Sequence, residues 1–351
     1  MLKAEYVRRD LKFIKPAGTS RGILYDKPSW YLRLSDGVNV GIGECSIIPG
    51  LSIDPIEEID TRLQFICDHI NEIHSWDLKE MLGSFPALQF CVEMALLDLQ
   101  HPSGFVLYPS AFTQGLKAIP INGLVWMGDR NAMLQQIKDK LAMGFSCIKL
   151  KIGAILWEEE KQLLKYIRSH YPKEKIELRV DANGGFTPEE APEILKELAE
   201  LDIHSIEQPI YANQHVEMAE LCKNTPIAIA LDEELIGIQD PKEKKDLLDK
   251  IRPQYIILKP SLLGGFSQSE EWIRLAEERG IGWWATSALE SNVGLSAIAQ
   301  WTATLNNPMP QGLGTGALFH NNIDSPLYLK GDQLFYGAGN WGTKLFENGV
   351  D

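Results

Sequence analysis

From about residue 118 onward, short apolar and β-branched runs alternate with longer stretches of helical periodicity. The runs are IPINGLVW (119–126), CIKLKIG (147–153), IELRVDANG (176–184), HSIEQPI (204–210), IAIALDEE (227–234), YIILKP (255–260) and IGWWATSAL (281–289). Their centres recur every 24 to 30 residues. Each interval carries apolar residues at three- and four-residue spacing. The clearest is TPEEAPEILKELAEL, where Thr187 and Glu190 stand at capping-box spacing and Pro188 takes the first helical position. Strict alternation of strand and helix predicts a parallel sheet built from βα units. Seven or eight such units in ~200 residues predict a closed TIM-like α/β barrel rather than an open sheet.

Residues 1–115 follow a different pattern. Strand-like segments come first (LKFIKPAG, SWYLRLSDG, VGIGECSII), and helical periodicity then runs through PIEEIDTRLQFICDHINEI and PALQFCVEMALLDLQ. This order predicts a separate α+β domain over 1–115 ahead of a barrel over 116–315. The tail over 316–351 returns to turns and short strands and is expected to pack back on the first domain.

Composition narrows the partners. The chain has 351 residues, 44% hydrophobic and 23% charged, with a net charge of -14. That balance fits a soluble globular protein and argues against nucleic acid or an anionic membrane as partner. It leaves room for an anionic small molecule, whose field a few lysines and a divalent cation reverse locally. Five scattered cysteines, with no C-x-x-C pair, read as reduced residues. The opening MLKAEYVRRDLKFIK has charges throughout and no apolar centre, so no signal peptide is expected there. No run approaches the ~20 apolar residues of a membrane helix, and a cytoplasmic location is expected. A homo-oligomer stays open.

Catalytic groups of a βα barrel sit at the C-terminal ends of its strands. Those positions hold Lys149 and Lys151, then Asp181, Glu207, Asp232 and Lys259. The acids lie 26 and 25 residues apart, and Lys259 follows 27 beyond Asp232. Singly, each acid reads as a helix N-cap and each lysine as a hydrated strand end. Together, three carboxylates on one rim repel unless a cation lies between them. A hard divalent ion suits oxygen ligands, Mg²⁺ above all with Mn²⁺ as a substitute, and the lack of His or Cys disfavours zinc. Flanking lysines fit removal of a proton next to a carboxylate, because the resulting anion needs concentrated positive charge. A lysine serves as base when its pKa falls, and a like charge lowers it. Lys149 lies on the same strand face as Lys151 and is placed to do so.

KxK (149–151), RVDAN (179–183), IEQP (206–209), LDE (231–233) and LKP (258–260) together resemble the enolase superfamily, in its muconate-lactonizing-enzyme subgroup. GIGECSIIPGLS (41–52) and EMALLDLQ (93–100) resemble its N-terminal capping domain. The resemblance implies a (β/α)7β TIM-like barrel with an α+β capping domain completed by the C-terminal tail. It implies Asp181, Glu207 and Asp232 as Mg²⁺ ligands, Lys151 as acid/base, and Lys259 as second base or as a cation stabilising the ene-diolate. Glu233, next to Asp232, takes a supporting place. Asn183 bonds a substrate or ligand oxygen, or serves as a turn residue before two glycines. Arg179 orients its neighbours. None of the seven histidines falls at the rim positions of IGWWATSAL, which separates the chain from subgroups with a histidine base, such as the mandelate racemases.

Within the subgroup, dipeptide epimerases carry an Asp-x-Asp near the last strand. GLGTGALF (312–319) has none, and its glycines offer backbone N–H groups to a carboxylate. ATSALESNVGL (285–295) resembles the segment in which o-succinylbenzoate synthases hold substrate, with Ser287 and Glu290 in place; Ser287 also reads as an ordinary strand-end hydroxyl. AGTSRGIL (17–24) lies where capping-domain loops close over the barrel mouth. Arg21 there pairs with a distal carboxylate or stands in solvent. The likeness is greatest to the o-succinylbenzoate synthases, which implies a small dicarboxylate substrate and a dehydration. An N-succinylamino acid racemase, or another muconate-cycloisomerase-like enzyme, would use the same lysines. A Schiff-base aldolase gives the three carboxylates no role, and a non-catalytic binding barrel needs no tuned base such as the Lys-Asp-Glu-Asp-Lys set implies.

Overall fold

A computed structural model describes residues 1–19, 22–101, 104–153, 155–339, 341–342 and 346. Three strands open the chain: β1 (Lys3–Thr19), β2 (Gly22–Ser35) and β3 (Val40–Ser46), antiparallel in that order. Pairing of β1 with β2 runs from Lys3↔Ser35 to Lys12↔Asp26, then shifts before Ala17↔Leu24. Pro16 lies in the shift, where a residue without an N–H costs no ladder bond. Helices α1 (Ile59–Asp68), α2 (Leu78–Leu82) and α3 (Pro86–Gln100) follow. Gly41 and Gly43 let α3 lie directly on β3. A Cβ at either would stand 2.0 Å from Ala95 O or 1.9 Å from Cys91 O, closer than any side chain allows. Trp30, Leu32 and Leu34 alternate inward along β2 and share a core with Ile59, Leu63, Leu88 and Val92.

The second part contains β4 (Ile119–Pro120), β5 (Gly123–Val125), β6 (Cys147–Lys151), β7 (Glu177–Asp181), β8 (Ser205–Glu207), β9 (Ala228–Leu231), β10 (Tyr255–Leu258) and β11 (Gly282–Ala285). Strands β5 to β11 form one seven-stranded parallel sheet in sequence order. Each of the seven apolar runs supplies one of them. Between them lie α4 (Arg130–Ala142), α5 (Trp157–His170), α6 (Ala191–Ala199), α7 (His215–Asn224), α8 (Pro241–Ile251), α9 (Pro260–Leu263) and α10 (Phe266–Glu277), and α11 (Asn292–Thr304) follows β11. This is a TIM-like α/β fold. Residues 311–312 bridge in parallel to Ile121 and to Thr286, and so reach from the last strand to the first. Side chains pointing to the helices are apolar and buried, among them Ile148, Leu150, Val180, Ile206, Ile229 and Ile256.

Two expectations shift. The Thr187–Glu190 capping box forms, with Glu190 N 3.3 Å from Thr187 Oγ1 and Thr187 N 3.1 Å from Glu190 Oε2. Regular helix nevertheless begins at Ala191, three residues beyond Pro188, because Pro192 has no N–H to continue the first turn. The tail, expected on the first domain, divides. Ile14 N donates to Leu318 O (2.8 Å) and His320 N to Lys12 O (2.9 Å), while the hairpin β12 (Leu327–Lys330) and β13 (Gln333–Tyr336) pairs with β4.

Two carboxylates join the N-terminal part to the barrel by capping successive helices. Glu44 of β3 accepts from Ser291 N and Gly294 N, both at 2.8 Å, at the start of α11. Glu93 of α3 accepts from Phe266 N and Ser267 N at the start of α10. Each fills donors that a helix cannot satisfy itself. Lys27 is buried in the same seam. Burial pushes its ammonium down in pKa, against the pull of Glu44 and Glu290. No helix among the described residues is long and apolar enough to cross a membrane.

Candidate active site

Strand register brings the charged residues together. Lys151 pairs with Asp181, and Asp181 with Glu207, as cross-strand partners at one level. Asp232 is the first residue after β9 and Lys259 the first after β10. The two-residue repeat of a strand turns Lys149, Lys151, Asp181, Glu207 and Lys259 to one face, away from the helices.

The groups interlock. Lys149 Nζ lies 2.6 Å from Glu207 Oε2 and 3.2 Å from Asp181 Oδ2. Lys151 Nζ lies 3.1 Å from that same Asp181 oxygen and donates to Asn183 Oδ1 at 2.7 Å. Lys259 Nζ donates to Asp232 Oδ2 and stands 3.8 Å from Glu207 Oε1. Burial alone would lower the Lys149 pKa, but Glu207 and Asp181 outweigh it and hold the ammonium above its ordinary value. Burial would likewise raise Asp181, yet Lys151 and Lys149 keep its carboxyl below the usual range. Glu207 goes the other way. Burial, reinforced by the charge of Asp181, pushes it up to about 7. Lys149 therefore holds the acids as well as standing beside Lys151.

The carboxylates do not close about a single point as the spacing predicts. Each is turned to a lysine, and among the described residues no three acidic, histidine or cysteine side chains gather closely enough to enclose an ion. Buried carboxylates demand a positive partner, and the ammonium groups are within reach. The donor chemistry still fits a hard divalent cation. All three are oxygen donors on adjacent strand ends, and Glu207 Oε1 is buried without a hydrogen-bond donor.

The flanking residues divide into three groups. Asn183, in left-handed conformation (φ 45°), donates from Nδ2 to Glu233 Oε1 at 3.0 Å, so it ties the Lys151 side of the site to the residue beside Asp232. Arg179 lies below the rim. Its Nε donates to Glu177 Oε1 (2.7 Å), its Nη1 to Pro310 O (2.9 Å), and its guanidinium rests 4.3 Å from the Trp284 ring. Ser287 lines the cavity, but its hydroxyl is fully engaged: it donates to Glu290 Oε2 (2.6 Å) and accepts from Thr315 Oγ1 (2.8 Å) and Leu289 N (3.1 Å). Glu290 is buried beneath it and also accepts from Ser261 Oγ. Arg21 lies outside the described residues.

Lys149, Lys151 and Lys259 line one cavity with Asp181 and Asn183, together with the apolar side chains of Ile48, Leu51, Leu124, Trp126 and Leu289. Ile48 and Leu51 come from the N-terminal part, so both parts enclose the site. Sequence reasoning missed Asn122 and Thr286, which line the same cavity, although counting in twos from Leu124 and Trp284 turns both inward. It also missed Glu160, whose carboxylate accepts from Gly153 N at 2.8 and 2.9 Å and holds the turn after Lys151.

Residues 132–331 match the family described as enolase C-terminal domain-like. An o-succinylbenzoate synthase from Desulfotalea psychrophila is 49% identical, the match covering 95% of this chain and 98% of that protein. The crystal structure of MenC from the same organism superposes with a TM-score of 0.86 at 46% identity, over 95% of this chain and 99% of that one. The L-Ala-D/L-Glu epimerase of Bacillus subtilis is 25% identical over 96% of this chain and 91% of its own length.

Proposed function

This chain belongs to the enolase C-terminal domain-like family, and from that premise we infer that it acts as an o-succinylbenzoate synthase. It removes water from 2-succinyl-6-hydroxy-2,4-cyclohexadiene-1-carboxylate to give 2-succinylbenzoate, a lyase step in menaquinone biosynthesis. The observation that carries this reading is the likeness to such a synthase over nearly the whole of both chains. The absence of an Asp-x-Asp in 312–319 supports it over dipeptide epimerisation.

Enzymes of this superfamily use a divalent metal. Here Asp181, Glu207 and Asp232 would hold Mg²⁺, or Mn²⁺ in its place, to supply positive charge against the substrate carboxylate as the neighbouring C–H bond breaks. Lys151, held by Asp181 and Asn183, takes the proton α to the ring carboxylate. Lys259 faces the ring as a cation and attracts its π-density. Lys151 then returns its proton to the departing hydroxyl on the same face. One proton is taken and one given back, water leaves, and the ring becomes aromatic.

The parallel bridges at 311–312 support a (β/α)7β barrel, with 1–115 and part of the tail as a capping domain. Five free cysteines agree with a reducing cytoplasm. The test is ¹H NMR of the cyclohexadiene substrate incubated with Mg²⁺-supplemented protein. Aromatic signals of 2-succinylbenzoate are expected. Folded protein that yields none overturns the reading. Exchange of the Cα proton of an N-succinyl amino acid in D₂O would then identify a racemase using Lys151 and Lys259, which line one cavity.

A further inference from the structure

Beside Glu207 and Asp232 stand two buried side chains to which the reaction gives no role, Gln208 and Glu234. Gln208 is wholly buried and joins three consecutive strand ends. Its carbonyl oxygen accepts from Gly184 N at 2.7 Å, in the loop after β7 that also carries Asn183. Its side-chain Oε1 accepts from Asp232 N at 3.1 Å and Glu234 N at 3.4 Å, just beyond β9. Its Nε2 donates to Ile210 O at 3.1 Å and to Glu234 Oε2 at 3.0 Å. Both amide hydrogens and both lone pairs are thereby used. The backbone of Gln208 is left-handed (φ 39°), which a residue with a Cβ adopts only where its surroundings hold it there.

Glu234 supplies the other half of that hold. Its Oε1 accepts from Asn213 N at 3.0 Å and lies 2.9 Å from His215 Nε2, at the first residue of α7. One carboxylate thus ties the loop after β8 to the turn after β9. With both oxygens engaged there, Glu234 is a brace and not a fourth ligand. Glu207 and Asp232 themselves meet lysine ammonium groups on flexible stems. What holds the two strand ends at a fixed separation is therefore the Gln208–Glu234 pair.

We propose that Gln208 and Glu234 are positioning residues that set the spacing of Glu207 and Asp232 for the divalent cation. This rests on the metal ligands assigned above. Mg²⁺ accepts oxygens only in near-octahedral order at about 2.0–2.1 Å, so a small shift of either strand end weakens it. Gln208 acts on Asp232 through its backbone N–H, and on Glu207 as its chain neighbour. Glu234 acts only through Gln208 and the loop that ends at Asn213.

Mg²⁺ and Mn²⁺ titrated by calorimetry into EDTA-treated full-length protein test this in the parent, Gln208→Met, Glu234→Gln and the double variant. Methionine keeps the length of Gln208 and removes its side-chain hydrogen bonds. The glutamine at 234 keeps shape and turns an amide nitrogen toward donors. Mg²⁺ affinity should fall about 10–100-fold in Gln208→Met and about tenfold in Glu234→Gln. The double variant should lose little more than Gln208→Met alone, because both changes break one brace. Diene turnover at saturating Mg²⁺ should stay within about threefold of the parent's, while the Mg²⁺ concentration needed rises. Gly43→Ala, which loosens the seat of α3 on β3, should lower the unfolding midpoint and leave Mg²⁺ affinity unchanged. Parent-like Mg²⁺ affinity in Gln208→Met or Glu234→Gln overturns the brace and leaves the ligand set standing. So does an equal loss in Gly43→Ala, or a fall in turnover that saturating Mg²⁺ does not restore. Where Gln208→Met fails to fold, Glu234→Gln decides alone. Folded parent that binds neither cation overturns the ligand set and the brace together.

Discussion

Lys149 and Lys151 share one oxygen of Asp181, and that contact explains why two ammonium groups close a strand whose other face is apolar. The charged rim was legible at this scale because one acid per βα repeat is a spacing, and spacing survives without coordinates. What Ser287 does was not legible. Its hydroxyl is filled by Glu290, Thr315 and Leu289, and the Thr315 partner lies 28 residues away. The raised pKa of Glu207 has a measurable consequence. In the proposed ligand set the cation is held by the Glu207 carboxylate, so below about pH 7 a proton competes with it. Mg²⁺ or Mn²⁺ affinity, measured by calorimetry, should weaken as pH drops through 7, approaching about tenfold per unit for one proton. Affinity constant from pH 6 to 8 would remove Glu207 from the ligand set.

Elements were easier to read than their ends. The seven strands stood out because a parallel strand covered by helices is apolar over a short run, and Gly or polar clusters bound each one. The start of α6 moved because of a second proline, and the division of the tail follows from pairings with β1 and β4 that no local pattern encodes. The close seat of α3 on β3 gives a strong expectation. Gly43→Ala places a methyl 1.9 Å from Cys91 O, and the sheet and helix must part, which should cost about 1–3 kcal/mol or more in urea unfolding. An unchanged midpoint would mean that α3 packs elsewhere. Asp54 accepts from Ala87 N (3.0 Å) and Leu88 N (3.3 Å) at the start of α3, and burial pushes its carboxyl up to about 7. Between its ordinary value near 4 and about 7, the folded chain keeps a proton that the unfolded chain gives up. That contribution favours the fold at low pH and is lost as pH rises through 7. Asp54→Asn cannot titrate, so its thermal midpoint should gain on the parent's between pH 5 and pH 8; a constant difference would show that Asp54 does not titrate there.

At the scale of the molecule, the cavity exists only because two parts of the chain meet. Glu44 and Glu93 fix the N-terminal elements to α11 and α10, and Ile48 and Leu51 then cover the strand ends that carry the lysines. The order of the two parts could be read from the change in hydrophobic period. Their docking could not, because a lone glutamate on a strand gives no sign of the distant helix it caps. The central claim is that this enclosed site performs a metal-dependent dehydration with Lys151 as base. The most direct measurement is the rate at which diene absorbance is lost, for the parent with Mg²⁺, for the parent after EDTA, and for Lys151→Ala. Turnover with Mg²⁺ should cease on chelation and return when Mg²⁺ is restored. Lys151→Ala should be slower by about 10²–10⁴-fold with an unchanged thermal midpoint. Diene loss that survives chelation, or that proceeds in Lys151→Ala at the parent's rate, would contradict the account.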